Sequence, residues 1–159
     1  MTVDIKTTPN VRTVVETAIA NCGGAREDLI PILTEVNTTL GYLLPEAFHE
    51  ISEQLHMPIG KVFSVASFYQ MLSTKPQGRH VIQFCESAPC HVVGGREVWH
   101  ALKDAVKLEP GETSADGKWT LRTTSCLGVC AVGPVIVVDG EMYGNVTPKQ
   151  VADILGKYE

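Results

Sequence analysis

No run in this chain approaches the roughly 18 to 20 apolar residues needed to span a bilayer, and MTVDIKTTPN at its start carries no apolar signal core. Direct membrane insertion is excluded on that reading, and a cytoplasmic location is expected. Lys and Arg number 13 against 18 Asp and Glu, and nowhere do they run together as a phosphate-binding stripe. Nucleic acid is therefore not expected as a partner. Also missing is C-x-x-C, the pair in which one thiol is activated and the other resolves, which removes a dithiol catalyst of the thioredoxin type. Nothing resembles G-x-G-x-x-G or a G-x-x-x-x-G-K loop, and His49, His56, His80 and His100 share no spacing. The chain shows no nucleotide site of its own and no catalytic triad.

What is present is an ordinary globular composition: 159 residues, 44% hydrophobic and 19% charged, with a formal net charge of -5. That length suffices for one good core or two small ones. Five cysteines in a chain without a secretion signal point to metal or redox chemistry rather than a disulfide framework. Four of them form two close pairs, Cys85 and Cys90 in FCESAPCHVVGG and Cys126 and Cys130 in SCLGVCAVGP. The fifth, Cys22, falls on the apolar stripe of a helix and reads as a small core residue.

Periodicity predicts four helices in the first 72 residues. The first carries Val11, Val14, Val15, Ala18, Ile19 and Cys22 and stops at Gly23-Gly24. The second runs from about Glu27 to Thr39 with Leu29, Ile30, Leu33, Val36 and Leu40 on one face; Pro31 must lie in its first turn or kink it. Pro45 opens the third, with Ala47, Phe48, Ile51 and Leu55 inward, and the fourth covers Ile59 to Gln70 with Val62, Phe63, Ala66 and Tyr69 in phase. STKPQGR then marks a boundary, giving a helical module over 1–75 and a second domain over 76–159.

In that second domain HVIQF is a strand leading into Cys85, and a helix is expected from about Pro89 or Cys90 to Val106 with Val92, Trp99, Leu102 and Val106 on one face. Trp119, Leu121 and Thr123 alternate as a strand that delivers the chain to Cys126. VIVVD and EMYGN form a hairpin about Asp139-Gly140, and Thr147-Pro148-Lys149-Gln150 starts a terminal helix with Val151, Ile154, Leu155 and Tyr158 inward. The fold class is α+β, and the order β-α-β-β-β-α is compatible with a thioredoxin-like layer of helices on a small mixed sheet.

Four thiolates on two loops suit a 2Fe-2S cluster, which carries about -2 when oxidised and -3 after one electron. Such an anion needs inward N-H donors and small residues that let the backbone approach the sulfurs, and Gly128 and Gly133 are the expected close-approach positions. By proximity Cys85 and Cys90 hold one iron and Cys126 and Cys130 the other. A structural zinc also uses four cysteines, although its pairs are more often C-x2-C, so a zinc-stabilised interaction module stays open. His91, directly after Cys90, reads as a donor or helix-start residue rather than a ligand.

From LIPILTEVNTTLGYLLPEAFHEISEQLHMPIGKVFSVASFYQML through QFCESAPCHVVGG and GETSADGKWTL to SCLGVCAVGPVIVVDGEMYGNVTP, the sequence resembles the 24 kDa-type, thioredoxin-like 2Fe-2S subunit of NADH dehydrogenase. Similar subunits occur in electron-bifurcating NAD-linked hydrogenases and NAD-dependent formate dehydrogenases. The resemblance implies an N-terminal helical bundle packed on a thioredoxin-like domain, with one 2Fe-2S cluster on Cys85, Cys90, Cys126 and Cys130. It implies a non-catalytic electron-transfer subunit beside a flavoprotein subunit that binds FMN and NAD(H), together with further iron-sulfur subunits. In such folds a cis proline often precedes a strand, and Gly133-Pro134 stands there. A free-standing thioredoxin-like 2Fe-2S ferredoxin is the alternative, one that would leave the first 72 residues idle.

Overall fold

The structure, a computed structural model, describes residues 10–158, so most of the polar start lies outside the described residues. The chain forms two compact units, one ending at Pro76 and the other beginning at Gln77.

The first unit is helical: α1 (Val11–Cys22), α2 (Leu29–Leu40), α3 (Pro45–Gln54) and α4 (Ile59–Phe68), with one turn of 3-10 helix at Arg26–Asp28. Asn10 caps α1 by accepting the N-H of Arg12 at 3.0 Å, and Gly23, at φ 112°, supplies the left-handed stop. Pro31 lies in the first turn of α2, where its missing N-H would have had no intrahelical partner. Val15, Ala18, Leu33, Val36, Ile51 and Val62 make the centre of this core.

Two inward assignments need correction. Ile30 is 36% exposed while Ile32 is fully buried, because the inner stripe of α2 runs Leu29, Ile32, Leu33, Val36 and leaves Ile30 to one side of it. Phe63 is 49% exposed, since α4 buries Val62 and Ala66 and turns the next position outward. The same helix ends at Phe68 rather than Gln70, as Tyr69 goes extended at ψ 112°.

The second unit is a four-stranded mixed sheet in the order β2-β1-β3-β4, built from β1 (His80–Cys85), β2 (Trp119–Thr124), β3 (Ile136–Val138) and β4 (Glu141–Tyr143). β1 runs parallel to β2 and antiparallel to β3, and β4 returns from β3 as a hairpin. Asp139 (φ 49°) and Gly140 (φ 88°) form the turn, and the Asp139 carboxylate accepts the N-H of Val81 at 2.8 Å. A short helical turn α5 (Ala88–Cys90), then α6 (Arg96–Val106) and α7 (Pro148–Leu155), complete the α+β fold.

Ile82 and Phe84 of β1, Leu121 of β2 and Ile136 and Val138 of β3 share one core with Val98 and Leu102 of α6 and Val151, Ile154 and Leu155 of α7. The Thr147 N-H donates to Gln150 Oε1 at 2.9 Å, which fixes the start of α7. The single helix expected up to Val106 is broken: Val93 and Gly94 leave helical geometry, Gly94 at φ 102°, and Val92 is 86% exposed instead of sharing the face of Leu102. The Gly133-Pro134 bond is cis. Among the described residues no helix is long and apolar enough to cross a membrane.

Each unit has its own buried core, and truncation tests them separately. Leu33→Ala in the first unit and Leu102→Ala in the second each remove a fully buried side chain. Each is expected to lower unfolding free energy by about 2–5 kcal/mol in urea titrations.

Candidate metal centre

The four cysteines of the two pairs meet because of strand direction. β1 and β2 are parallel, with Cys85 opposite Thr124, so both strands release their following loops at the same end of the sheet. Cys85 is the last residue of β1, and Cys90 closes α5. Cys126 follows β2 by two residues, and Cys130 opens a 3-10 turn ending at Val132. The antiparallel neighbour β3 adds the third side, as the Cys85 N-H donates to the Val135 carbonyl at 3.2 Å.

The pairs differ in burial. Cys85 and Cys90 are each 2% exposed and pack with Val135, Leu127 and Val129, whereas Cys126 and Cys130 lie at the surface. The Cys126 and Cys130 sulfurs are 3.7 Å apart. A tetrahedral metal with bonds of about 2.3 Å to sulfur sets two thiolates about 3.8 Å apart, so this spacing suits two ligands of one ion. It is far too long for a disulfide bond of about 2 Å.

Backbone donors surround the sulfurs. The Gly128 N-H points at Cys126 Sγ at 3.4 Å, made possible by φ 79° at Gly128. Burial works against ionisation of Cys85, but the Ser87 N-H, the Cys90 thiol and the Leu127 N-H outweigh it and lower its pKa. Cys90 is pushed up, first by burial and then by its bond to Cys85, against the opposing Val135 N-H. In the second pair the Gly128 N-H and then the Cys130 thiol lower Cys126, and that shared bond raises Cys130. Contacts also cross between pairs: the Leu127 N-H serves Cys85, and the Ser87 hydroxyl serves both Cys85 and Cys126.

Among the described residues no group of three or more His, Cys, Asp or Glu side chains is gathered as for a single metal ion. The thiols are grouped two and two, which is the donor set a two-iron cluster takes, two thiolates to each iron. The donor chemistry and the inward N-H groups therefore fit such a cluster.

Gly133 is a close-approach position as expected, since a Cβ there would stand 3.4 Å from Cys90 Sγ and 3.2 Å from Val93 Cγ2. Gly128 serves differently, through its positive φ, with open space where a Cβ would stand. His91 stacks edge-on to Phe84 with ring centres 6.0 Å apart. Cys22 bonds to Glu35 at 3.4 Å in the helical unit. Sequence reasoning missed Ser87, Leu127 and Gly95 as parts of the site. Gly95 brings its backbone against the Cys90 carbonyl, where a Cβ would come within 2.5 Å of the oxygen. The signal was visible as a glycine pair interrupting a helical pattern beside a cysteine; Leu127 acts through its backbone N-H, and Ser87 through both its N-H and its hydroxyl, in directions that spacing does not reveal.

The sequence matches the family model of the thioredoxin-like 2Fe-2S ferredoxins over residues 15–159. It is 35% identical over 130 residues to the NADP-reducing hydrogenase subunit HndA of Solidesulfovibrio fructosivorans, covering 82% of this chain and 76% of that one. It is also 35% identical over 130 residues to a subunit of the NADH-quinone oxidoreductase of Escherichia coli strain K12, covering 82% and 78%. The fold superimposes on the crystal structure of an air-oxidised NAD+-reducing NiFe-hydrogenase with a TM-score of 0.66 and 20% identity, over 99% of this chain and 24% of that one. This chain thus spans about a quarter of the length of that hydrogenase chain.

Gly95→Ala tests the tight packing behind Cys90. Its methyl group is expected to displace the Cys90 carbonyl, costing about 1–3 kcal/mol in urea unfolding. Iron retained per chain after anaerobic reconstitution and desalting should fall in parallel.

Proposed function

The chain belongs to the thioredoxin-like 2Fe-2S ferredoxin family, and from that premise we propose that it is the electron-transfer subunit of a multisubunit NAD(P)-linked oxidoreductase. Its cofactor is one 2Fe-2S cluster, held by Cys85 and Cys90 at one iron and by Cys126 and Cys130 at the other. The partner is a flavoprotein subunit with FMN and NAD(H), alongside further iron-sulfur subunits, in the cytoplasm. Support comes from relatives whose names are those of hydrogenase and NADH-quinone oxidoreductase subunits. The observation that carries the reading is the meeting of two thiol pairs, from loops 35 residues apart, at one end of the sheet.

When bound, the cluster supplies a one-electron couple, which lets a two-electron flavin be oxidised in single steps. The residues around it do three things. Val135, Leu127 and Val129 keep water from Cys85 and Cys90. The N-H groups of Ser87, Leu127, Gly128 and Val135 offset the accumulated negative charge at the sulfurs. The exposed pair, Cys126 and Cys130, gives the electron its shortest way in and out. On this reading 1–75 and 76–159 act as separate domains, the second carrying the electron.

Anaerobic reconstitution is expected to give about two irons and two sulfides per chain, visible absorption, and an EPR signal on one-electron reduction. A colourless protein holding one zinc ion would reverse the assignment. Cys126→Ser should lose most of the cluster, while Cys22→Ser keeps it and shifts unfolding by about 1 kcal/mol or less, since a hydroxyl can still donate to Glu35.

A further inference from the structure

The backbone N-H groups around the thiols are fixed in direction by the fold, and each serves one sulfur: those of Ser87 and Leu127 serve Cys85, that of Gly128 serves Cys126, and that of Val135 serves Cys90. The Ser87 hydroxyl is a donor of another kind. It belongs to a side chain, and it reaches Cys85 in one pair and Cys126 in the other.

The backbone explains that reach. Cys85 ends β1 opposite Thr124, and the Glu86 N-H donates to the Thr124 carbonyl at 3.2 Å, which carries the pairing with β2 one residue further. Ser87 therefore comes alongside the start of the loop that leads to Cys126. Its own carbonyl accepts the His91 N-H at 3.2 Å, which holds the residue from the other side. Ser87 stands at the N-cap of α5, where a serine hydroxyl ordinarily accepts a backbone N-H of the first turn. No such bond forms here, although the backbone is extended as a cap requires, at φ -74° and ψ 148°. The side chain is half-buried and serves the sulfurs instead of the helix.

A hydroxyl carries one proton and turns about its C-O bond to suit its acceptors. It donates to one sulfur at a time and follows the one that carries more charge. A fixed N-H cannot do this. Hydrogen bonds strengthen when the acceptor is charged, and the site gains one negative charge, from about -2 to -3, when it takes up an electron. A donor free to follow that charge therefore favours the reduced state over the oxidised one.

We propose that the Ser87 hydroxyl sets how readily this site accepts an electron, by donating its proton to Cys85 Sγ or to Cys126 Sγ according to which of the two carries the added charge; this rests on the reading under Proposed function. The two sulfurs belong to different irons on that reading, so one side chain answers to both halves of the site. Ser87 binds no metal. It acts through the two sulfurs and raises the reduction potential.

Ser87→Ala removes the hydroxyl, keeps the N-H to Cys85 and breaks no cap bond, so the variant should unfold at the wild-type urea midpoint and retain wild-type iron after anaerobic reconstitution. In a redox titration followed by EPR, its reduction should be about tenfold less favourable, a midpoint about 59 mV lower for a one-electron couple. Ser87→Thr keeps a hydroxyl and should titrate with the wild type. A wild-type or higher midpoint in Ser87→Ala would overturn the proposal, and so would a Ser87→Thr midpoint lowered as far as that of alanine. Loss of iron from Ser87→Ala would overturn it as well, by making the side chain a support for assembly. A wild-type chain with no EPR signal on reduction would instead remove the electron-transfer reading on which the proposal rests.

Discussion

Sulfur atoms that ionise close together repel one another, and the end of the sheet that carries them is built to hold four despite that repulsion. Each pair contains one thiol whose ionisation is eased and one whose ionisation is hindered: Cys85 against Cys90, and Cys126 against Cys130. The second sulfur of each pair gives up its proton only against the charge of the first. A cation supplies the missing compensation, which is why metal uptake by such a site displaces protons. Backbone N-H groups supply the rest. They need no charged side chain near the sulfurs, and apart from Glu86 neither 85–95 nor 125–138 contains one.

Gathering these donors depends on how the sheet is connected. Two parallel strands end together, so the loops after β1 and β2 are neighbours although far apart in sequence. The antiparallel strand β3 then feeds its preceding residues into the same space, which is how Val135 comes to serve both the Cys85 N-H and the Cys90 sulfur. The break at Val93 and Gly94 belongs to this arrangement. A helix continued through it would carry Gly95 away from Cys90, and the tight contact between Gly95 and the Cys90 carbonyl shows how little room the turn leaves. Local regularity gives way here to the demands of the site.

The strands, the longer helices, the hairpin at Asp139-Gly140 and the four thiols were legible in the sequence because each rests on short-range pattern: helical periodicity, alternation, turn chemistry and cysteine spacing. Ile30 and Phe63 were misplaced for a related reason. An apolar residue one position off the inner stripe scores as hydrophobic whether or not it is buried, and only the packing of Ile32 and Val62 decides. The roles of Ser87 and Leu127 were not legible, since any residue has an N-H to offer, and the direction of that N-H, like that of the Ser87 hydroxyl, depends on the fold. Phe63 is the instructive case, because its periodicity points inward while the helix leaves it 49% exposed, edge-on against Phe48.

Charge distribution separates a resident subunit from a diffusing carrier. A carrier that must find its partner repeatedly gains from a large patch of one sign, which raises the encounter rate and makes it sensitive to salt. The stretches that carry the thiols are built otherwise. In 85–95 and 125–138 the one Asp, Glu, Lys or Arg is Glu86. Faces so poor in charge associate without steering and, once dry, separate slowly, because their affinity resides in the dissociation rate. On the proposed reading that is the behaviour required: a cluster that exchanges electrons with one flavin benefits from a fixed distance to it, and loops that compensate the sulfurs through backbone N-H groups keep charged side chains out of that contact.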